Sequence, residues 1–332
     1  MNRKKSIDLL RAMGAIAVVM LHIKLSPLSN YTGDIPESLR VNLNALELLL
    51  GWVVPVFLMI TGYCLANKKE CSFKYCFGHI KKYVAVLFTI GLFFALLEEI
   101  YIASGEGKAL ISAAVIGRSL LRVINGDLWS HMWFVYLIIG IYLVMPVIHK
   151  FLQSDERSIY IFTLILFVFA ILLPEINRIT PLNINVSFPF GGYVFYVVFG
   201  GMIRKCGVNK KFYYTVIACG LISAVYMVIS HAAIGRYDEK NPLVAILSMC
   251  VFVVISELDI KGSPFLSELA ACTWGIYLIH PVFLNIGLKV FKIDLISSMP
   301  YLKLFAAFVV VFALSFETTR LLKRVPFIKN IL

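Results

Sequence analysis

Ten stretches of mostly apolar residues recur along this chain, at about 6–25, 45–66, 83–103, 129–148, 158–174, 189–204, 212–231, 243–257, 267–288 and 300–320. Crossing ~30 Å of hydrocarbon at 1.5 Å per residue takes a helix of roughly 20 residues. The pattern therefore predicts an all-α, polytopic integral membrane bundle of about ten transmembrane helices. The sixth and eighth stretches are short for a span. The connecting loops are short too, the longest lies at 104–128, and no soluble domain is left over. A single membrane-embedded domain over residues 1–332, in a multi-pass protein of the cell membrane, is the expectation.

Composition removes the alternatives. Of the 332 residues 60% are hydrophobic and 15% charged, against roughly 45–50% and 25% in a soluble protein. A soluble fold of this length has too little interior to hide that much apolar side chain. The same numbers exclude disorder, a coiled coil and a secreted disulfide scaffold. The seven cysteines are scattered, and Cys71 and Cys76, the closest pair, have no His or Cys at metal-ligand spacing. They are expected to be reduced thiols, with no metal and no permanently bound cofactor. The first stretch carries Arg11 and His22 and no small-residue cleavage site follows it, so it reads as a span rather than a cleaved leader.

The net charge of +12 would raise nucleic acid as a partner in a soluble chain. Here it reads as topology, with lipid as the partner and no nucleic acid. With the N-terminus in the cytoplasm, eighteen basic residues fall in inside segments and nine, among them Arg40, Lys108, Arg178 and Arg236, fall outside. Basic residues concentrate on the cytoplasmic side of a bilayer, so both termini are expected inside.

Ionisable side chains at membrane depth are costly and mark function by default. Arg11 and His22 are eleven residues apart in the first stretch. At 100° per residue that places them about 20° apart on one face and roughly 16 Å apart along the axis. Asp8 lies one turn before Arg11 and can pair with it. Alternatively, Arg11 snorkels to lipid phosphates and His22 is an interfacial histidine. In the ninth stretch Tyr277 and His280 share a face, and Pro281 cannot donate to the Tyr277 carbonyl; a simple kink beside a packed histidine is the other reading. His131 sits among Trp129, Trp133 and Tyr136 at the start of the fourth stretch, where an aromatic belt is expected. In the proposed topology His22, His131 and His280 all fall in the outer half of the bilayer. Glu98 and Glu99 are expected to be solvated at the outer end of the third stretch, and Glu317 to neutralise Arg11 or Arg320. Arg118 and Arg122 share a face of the long outer loop and either hold an anionic glycan or lipid phosphate or serve as plain surface. The segment Phe57–Tyr63, with Thr61 and Gly62, suits close helix packing.

These segments together resemble the membrane acyltransferase type 3 family. Asp8-Leu9-Leu10-Arg11 followed by His22 is similar to its first-span signature, and Val54–Tyr63 to its second span. His131–Pro146 resembles its middle signature, in the surface polysaccharide O-acyltransferase branch, and Tyr277-Leu278-Ile279-His280-Pro281 its late tyrosine–histidine–proline segment. The resemblance implies ten core spans. It also implies transfer of an acyl group, usually acetyl, from cytoplasmic acyl-CoA to a hydroxyl of a glycan or lipid-linked sugar outside. His22 would then be the catalytic histidine and Arg11 its basic partner toward the acyl-CoA side. One departure is plain: where many members carry a doubled arginine, this chain has His79-Ile80-Lys81-Lys82, which keeps the charge but not the bidentate fork.

The mechanism expected from both lines has CoA phosphates against Lys81, Lys82 and Arg11. The pantetheine arm runs along the first span to His22, which acts as general base or carries the acyl group itself. His131, Tyr277 or His280 would stabilise the oxyanion. The competing readings are a transporter, for serine as in racemase-fused relatives or for glycan export, and a non-catalytic scaffold.

Overall fold

A computed structural model of the chain describes residues 4–30, 34–107, 109–182, 184, 186, 188–230, 239–329 and 331. Arg3, Lys108 and Arg236, which entered the charge tally, and His231 lie outside them. The described residues are mostly helical, with no strand among them. Eight helices or continuous helix pairs are long and apolar enough to cross a membrane. The two stretches that are short in sequence form helices of 15 residues, Gly192–Cys206 and Pro242–Ser256, each about 22 Å long at 1.5 Å per residue.

The chain divides into two compact units. The first holds residues 1–68 and 151–320. Its helices are α1 (Lys5–Asn30), α2 (Glu37–Leu50), α3 (Val53–Ala66), α8 (Glu156–Phe167), α9 (Leu173–Ile179), α10 (Gly192–Cys206), α11 (Lys210–Ile229), α12 (Pro242–Ser256), α13 (Pro264–Asn285) and most of α14 (Pro300–Leu322). The second holds residues 69–150 and 321–332, with α4 (Phe73–Val86), α5 (Leu92–Gly105), α6 (Ala113–Asn125), α7 (Trp133–Phe151) and the short α15 (Pro326–Lys329). Single π turns join α4 to α5 and α8 to α9, and another follows α13.

In the first unit α1 packs against α2, α3, α12 and α13. Leu10, Ala15 and Val19 are fully buried, and no face of the helix is left to lipid along Ser6–Lys24. A helix apolar on every side but for a few polar groups belongs at the centre of a bundle. α10 is the second such core helix, and it lies backbone-to-backbone on α3. A Cβ on Gly62 would stand 1.8 Å from the Val197 carbonyl oxygen, and one on Gly200 would stand 2.0 Å from that of Met59. The close packing expected of the Thr61-Gly62 segment is therefore present, with glycine on both partners. α11 and α14 instead expose Leu221, Ile222, Phe305 and Val309, as lipid-facing helices do.

Polar contacts fasten helix ends of the first unit in two sets. At one end Lys4 meets Glu257, Lys5 donates to Ser267, Arg320 pairs with Glu268 and Glu317, and Gln153 joins the Ala66 carbonyl to Lys205. At the other, Lys24 meets Glu47, Asn42 donates to Tyr301, and Asn241 donates to Glu175. Each set joins ends that an alternating in-and-out path brings to the same side. Glu317 thus serves Arg320.

Candidate active site

The N-terminal end of α1 carries Asp8, fully buried, and Arg11, 3.7 Å from it across one turn. A second nitrogen of Arg11 donates to Cys64 Sγ of α3 at 3.6 Å, and the Arg11 carbonyl accepts from Thr273 of α13. The guanidinium is thus held inside the bundle by an acid and a thiol.

Three turns further along α1, His22 lies against His280 of α13, ring centroids 4.9 Å apart and edge to face. α1 and α13 run parallel here, since their contacts advance together from Lys5–Ser267 through Arg11–Thr273 to His22–His280. Each imidazole places Nδ1 on the carbonyl one turn back, His22 on Val18 at 2.9 Å and His280 on Ile276 at 3.0 Å. A carbonyl only accepts, so Nδ1 is the protonated nitrogen in both rings, and the neutral ring keeps its basic lone pair on Nε2. His280 is fully buried whereas His22 is partly exposed. Tyr277 lies 6.4 Å from the His280 ring and stacks on Trp274.

The first unit thus gathers Arg11, His22, Tyr277 and His280. His131 belongs to the second unit, where its ring is 5.6 Å from that of Phe94. Arg118 and Arg122 belong there too, and their geometry corrects an expectation: Glu99 is 3% exposed, not solvated. It accepts from Arg118 Nε at 2.5 Å and Arg122 Nε at 2.6 Å, while Arg122 also reaches Asp127 and Glu98 accepts from Trp129. The anion between the two arginines is the chain's own carboxylate, and the hydrogen bond to Glu99 pushes the Arg122 pKa up. Lys81 is exposed and Lys82 partly so on α4. Beside them is a ring cluster: His79 stacks on Tyr142 at 4.9 Å and meets Tyr75 edge-on at 4.7 Å.

Three participants are not singled out by sequence reasoning. His79 and its neighbours carry a signal, since Tyr75, His79 and Tyr83 recur every fourth residue on one face of α4. Lys24, two residues past His22, is 5% exposed and binds Glu47 and Asn44 of α2. Arg204 of α10 lies over the Tyr63 ring at 5.1 Å and donates to its hydroxyl, next to the Cys64 that Arg11 touches. Neither shows a local pattern, because each partner is distant in sequence.

A family model described as an acyltransferase domain matches residues 4–320. A Bacillus subtilis (strain 168) protein, YfiQ, whose name describes it as a membrane-bound acyltransferase, is 22% identical over 330 residues, covering 93% of this chain and 87% of its own length. No solved structure matches the chain at a significant level.

Proposed function

The chain belongs to the acyltransferase family and is a multi-pass membrane acyltransferase; from the geometry around His22 we propose that it moves an acyl group from acyl-CoA to a hydroxyl of an envelope glycan, with His22 as general base. The observation that carries this reading is the locked tautomer of His22. With Nδ1–H committed to the Val18 carbonyl, Nε2 is the atom that takes a proton from the acceptor hydroxyl as its oxygen attacks the thioester carbon. The tetrahedral intermediate then collapses, the C–S bond breaks, and CoA leaves as thiolate or takes the proton back from the imidazolium. General-base assistance of this kind is worth about 10²–10⁴-fold.

His280 is the positioning residue. Its ring edge keeps His22 from tilting away, and its own Nδ1 bond to Ile276 holds it fixed. Tyr277, on the same face of α13 as His280, is the candidate donor to the oxyanion. Arg11, held by Asp8 and Cys64, supplies positive charge toward the cytoplasmic side, where the donor arrives. In the second unit Lys81 and Lys82 offer ammonium groups to phosphate. The excess of basic residues at the ends that carry Lys4, Lys205 and Lys68 argues that these ends are cytoplasmic. The acetyl group is the reading for the donor, on the resemblance already given.

The test is transfer by the purified full chain in liposomes, with labelled acetyl-CoA and surface glycan extracted from a strain lacking the protein. The intact chain should add one acetyl mass per acceptor. His22→Ala should lose at least about 10²-fold in rate while reaching the membrane at normal levels. Undiminished transfer by that variant rejects the histidine-base assignment.

A further inference from the structure

Beyond the histidine pair, the outer part of the first unit contains a cavity of about 290 Å³ between the end of α13, the π turn after it and the start of α14. Its walls include Phe283, Leu284 and Gly287 on one side and Ala307 and Val311 on the other, and Lys303 is the one charged residue in the lining. The loop between the helices folds back over it. Ile293 donates its N–H to the Gly287 carbonyl, and Ile293 and Leu295 both line the space. Lys292 and Met299, at the two ends of that loop, adopt left-handed backbone with φ of 50° and 48°, a conformation non-glycine residues hold only when their surroundings impose it.

The position of the cavity ties it to the site. His280, Phe283 and Leu284 follow at i, i+3 and i+4 on one face of α13, and Gly287 lies in the π turn beyond it. Leu284 is therefore one turn, about 6 Å along the axis, from the histidine that braces His22. An apolar slot with one ammonium group suits an amphiphile with a hydrocarbon tail and an anionic head. A free sugar would find no hydrogen-bond partner there except Lys303. Asp294 caps the loop through the N–H groups of Ile296 and Ser297 and is held at a pKa of about 2 chiefly by the Ser297 side-chain contact, with a smaller part from Lys303. Asp294 is thus committed to the loop, and the Lys303 ammonium can serve a ligand.

We propose that this cavity binds the hydrocarbon tail of a lipid-linked acceptor, with the acceptor's phosphate at Lys303. This rests on the acyl-transfer reading and narrows its acceptor to a phospholipid-linked sugar rather than a soluble one.

The probe is a long-chain alkyl phosphate carrying a diazirine in its tail, photolysed with the intact protein in nanodiscs. Labelling is expected to map to Phe283–Leu288 and Ala306–Val311. It should fall about tenfold in Lys303→Gln, which exchanges a charge-assisted contact for a neutral one, and persist in Lys303→Arg. Ala307→Trp should block it by filling the slot, and the matching uncharged alkyl alcohol should compete poorly. His22→Ala should label like the parent chain, so a failure of the histidine-base assignment leaves this result intact. Label spread over Phe305, Val309 and other lipid-facing positions, indifferent to Lys303→Gln, would mean bulk lipid only and overturn the proposal, whatever the transfer assay shows.

Discussion

At the scale of single residues, the two histidines have the same hydrogen-bond arrangement and different access. Both commit Nδ1 to an i−4 carbonyl, yet His22 is partly exposed and His280 fully buried. A general base needs its lone pair aimed at the acceptor in the transition state, and ring orientation is what an edge-on neighbour controls. Replacing His280 by Ala removes that neighbour without touching the His22–Val18 bond. The expected result is a fall of about tenfold in kcat with KM for acyl-CoA unchanged, a smaller loss than His22→Ala because the base itself survives. His280→Phe, which restores a flat ring, should recover part of it. Equal losses in His22→Ala and His280→Ala would instead make His280 a participant in proton transfer. The Arg11–Asp8 contact is legible from its i, i+3 spacing alone. The His22–His280 contact is not, since 258 positions separate the two; the sequence can suggest a shared bilayer level but not that the rings meet.

At the scale of elements, close approach of α3 and α10 fixes the core of the first unit. Glycines let two backbones come within contact, and in a membrane such packing replaces the hydrophobic drive that lipid does not supply. A side chain at Gly62 meets a backbone carbonyl, which cannot rotate aside. Gly62→Leu should therefore separate the helices and lower thermal stability in detergent by more than the about 1–3 kcal/mol typical of overpacking. Gly78→Leu, where nothing lies within 4 Å, should be near neutral. Similar melting of both variants would remove the α3–α10 contact from the account. In the second unit Glu99→Gln strips two charge-assisted bonds from Arg118 and Arg122. Because both arginines are partly exposed, the loss should fall at or below about 3 kcal/mol, read by the same melt. The helices themselves were readable from hydrophobic runs, although caps such as Ser72, Ser112, Asp155 and Ser263 fix starts that the runs do not mark. The pairing of Glu99 was not, because it depends on α6 folding back on α5 from about twenty residues away.

At the scale of the whole molecule, the question is which rim of the first unit faces the cytoplasm. Contacts alone sort the helix ends into two sets, one with Lys4–Glu257 and Lys205–Gln153, the other with Asn42–Tyr301 and Asn241–Glu175. Charge then decides, because the first set adjoins Lys68, Arg204, Lys210 and Lys261, and its side carries more basic residues than that of the second. A single cysteine at Asn42 and another at Glu257, each on a background without the seven native cysteines, separate the outcomes. Each substitution breaks one surface contact, which costs at most about 1 kcal/mol. A membrane-impermeant maleimide on intact cells should modify N42C and spare E257C, and E257C should react only after the cells are opened. The reverse pattern would invert the chain and put His22 on the donor side, so that acyl-CoA no longer needs to cross the bilayer's midplane to meet it. Reaction at both positions from outside would show that the two rims do not lie on opposite sides, and the alternating path behind the parallel α1–α13 pairing would fall with it.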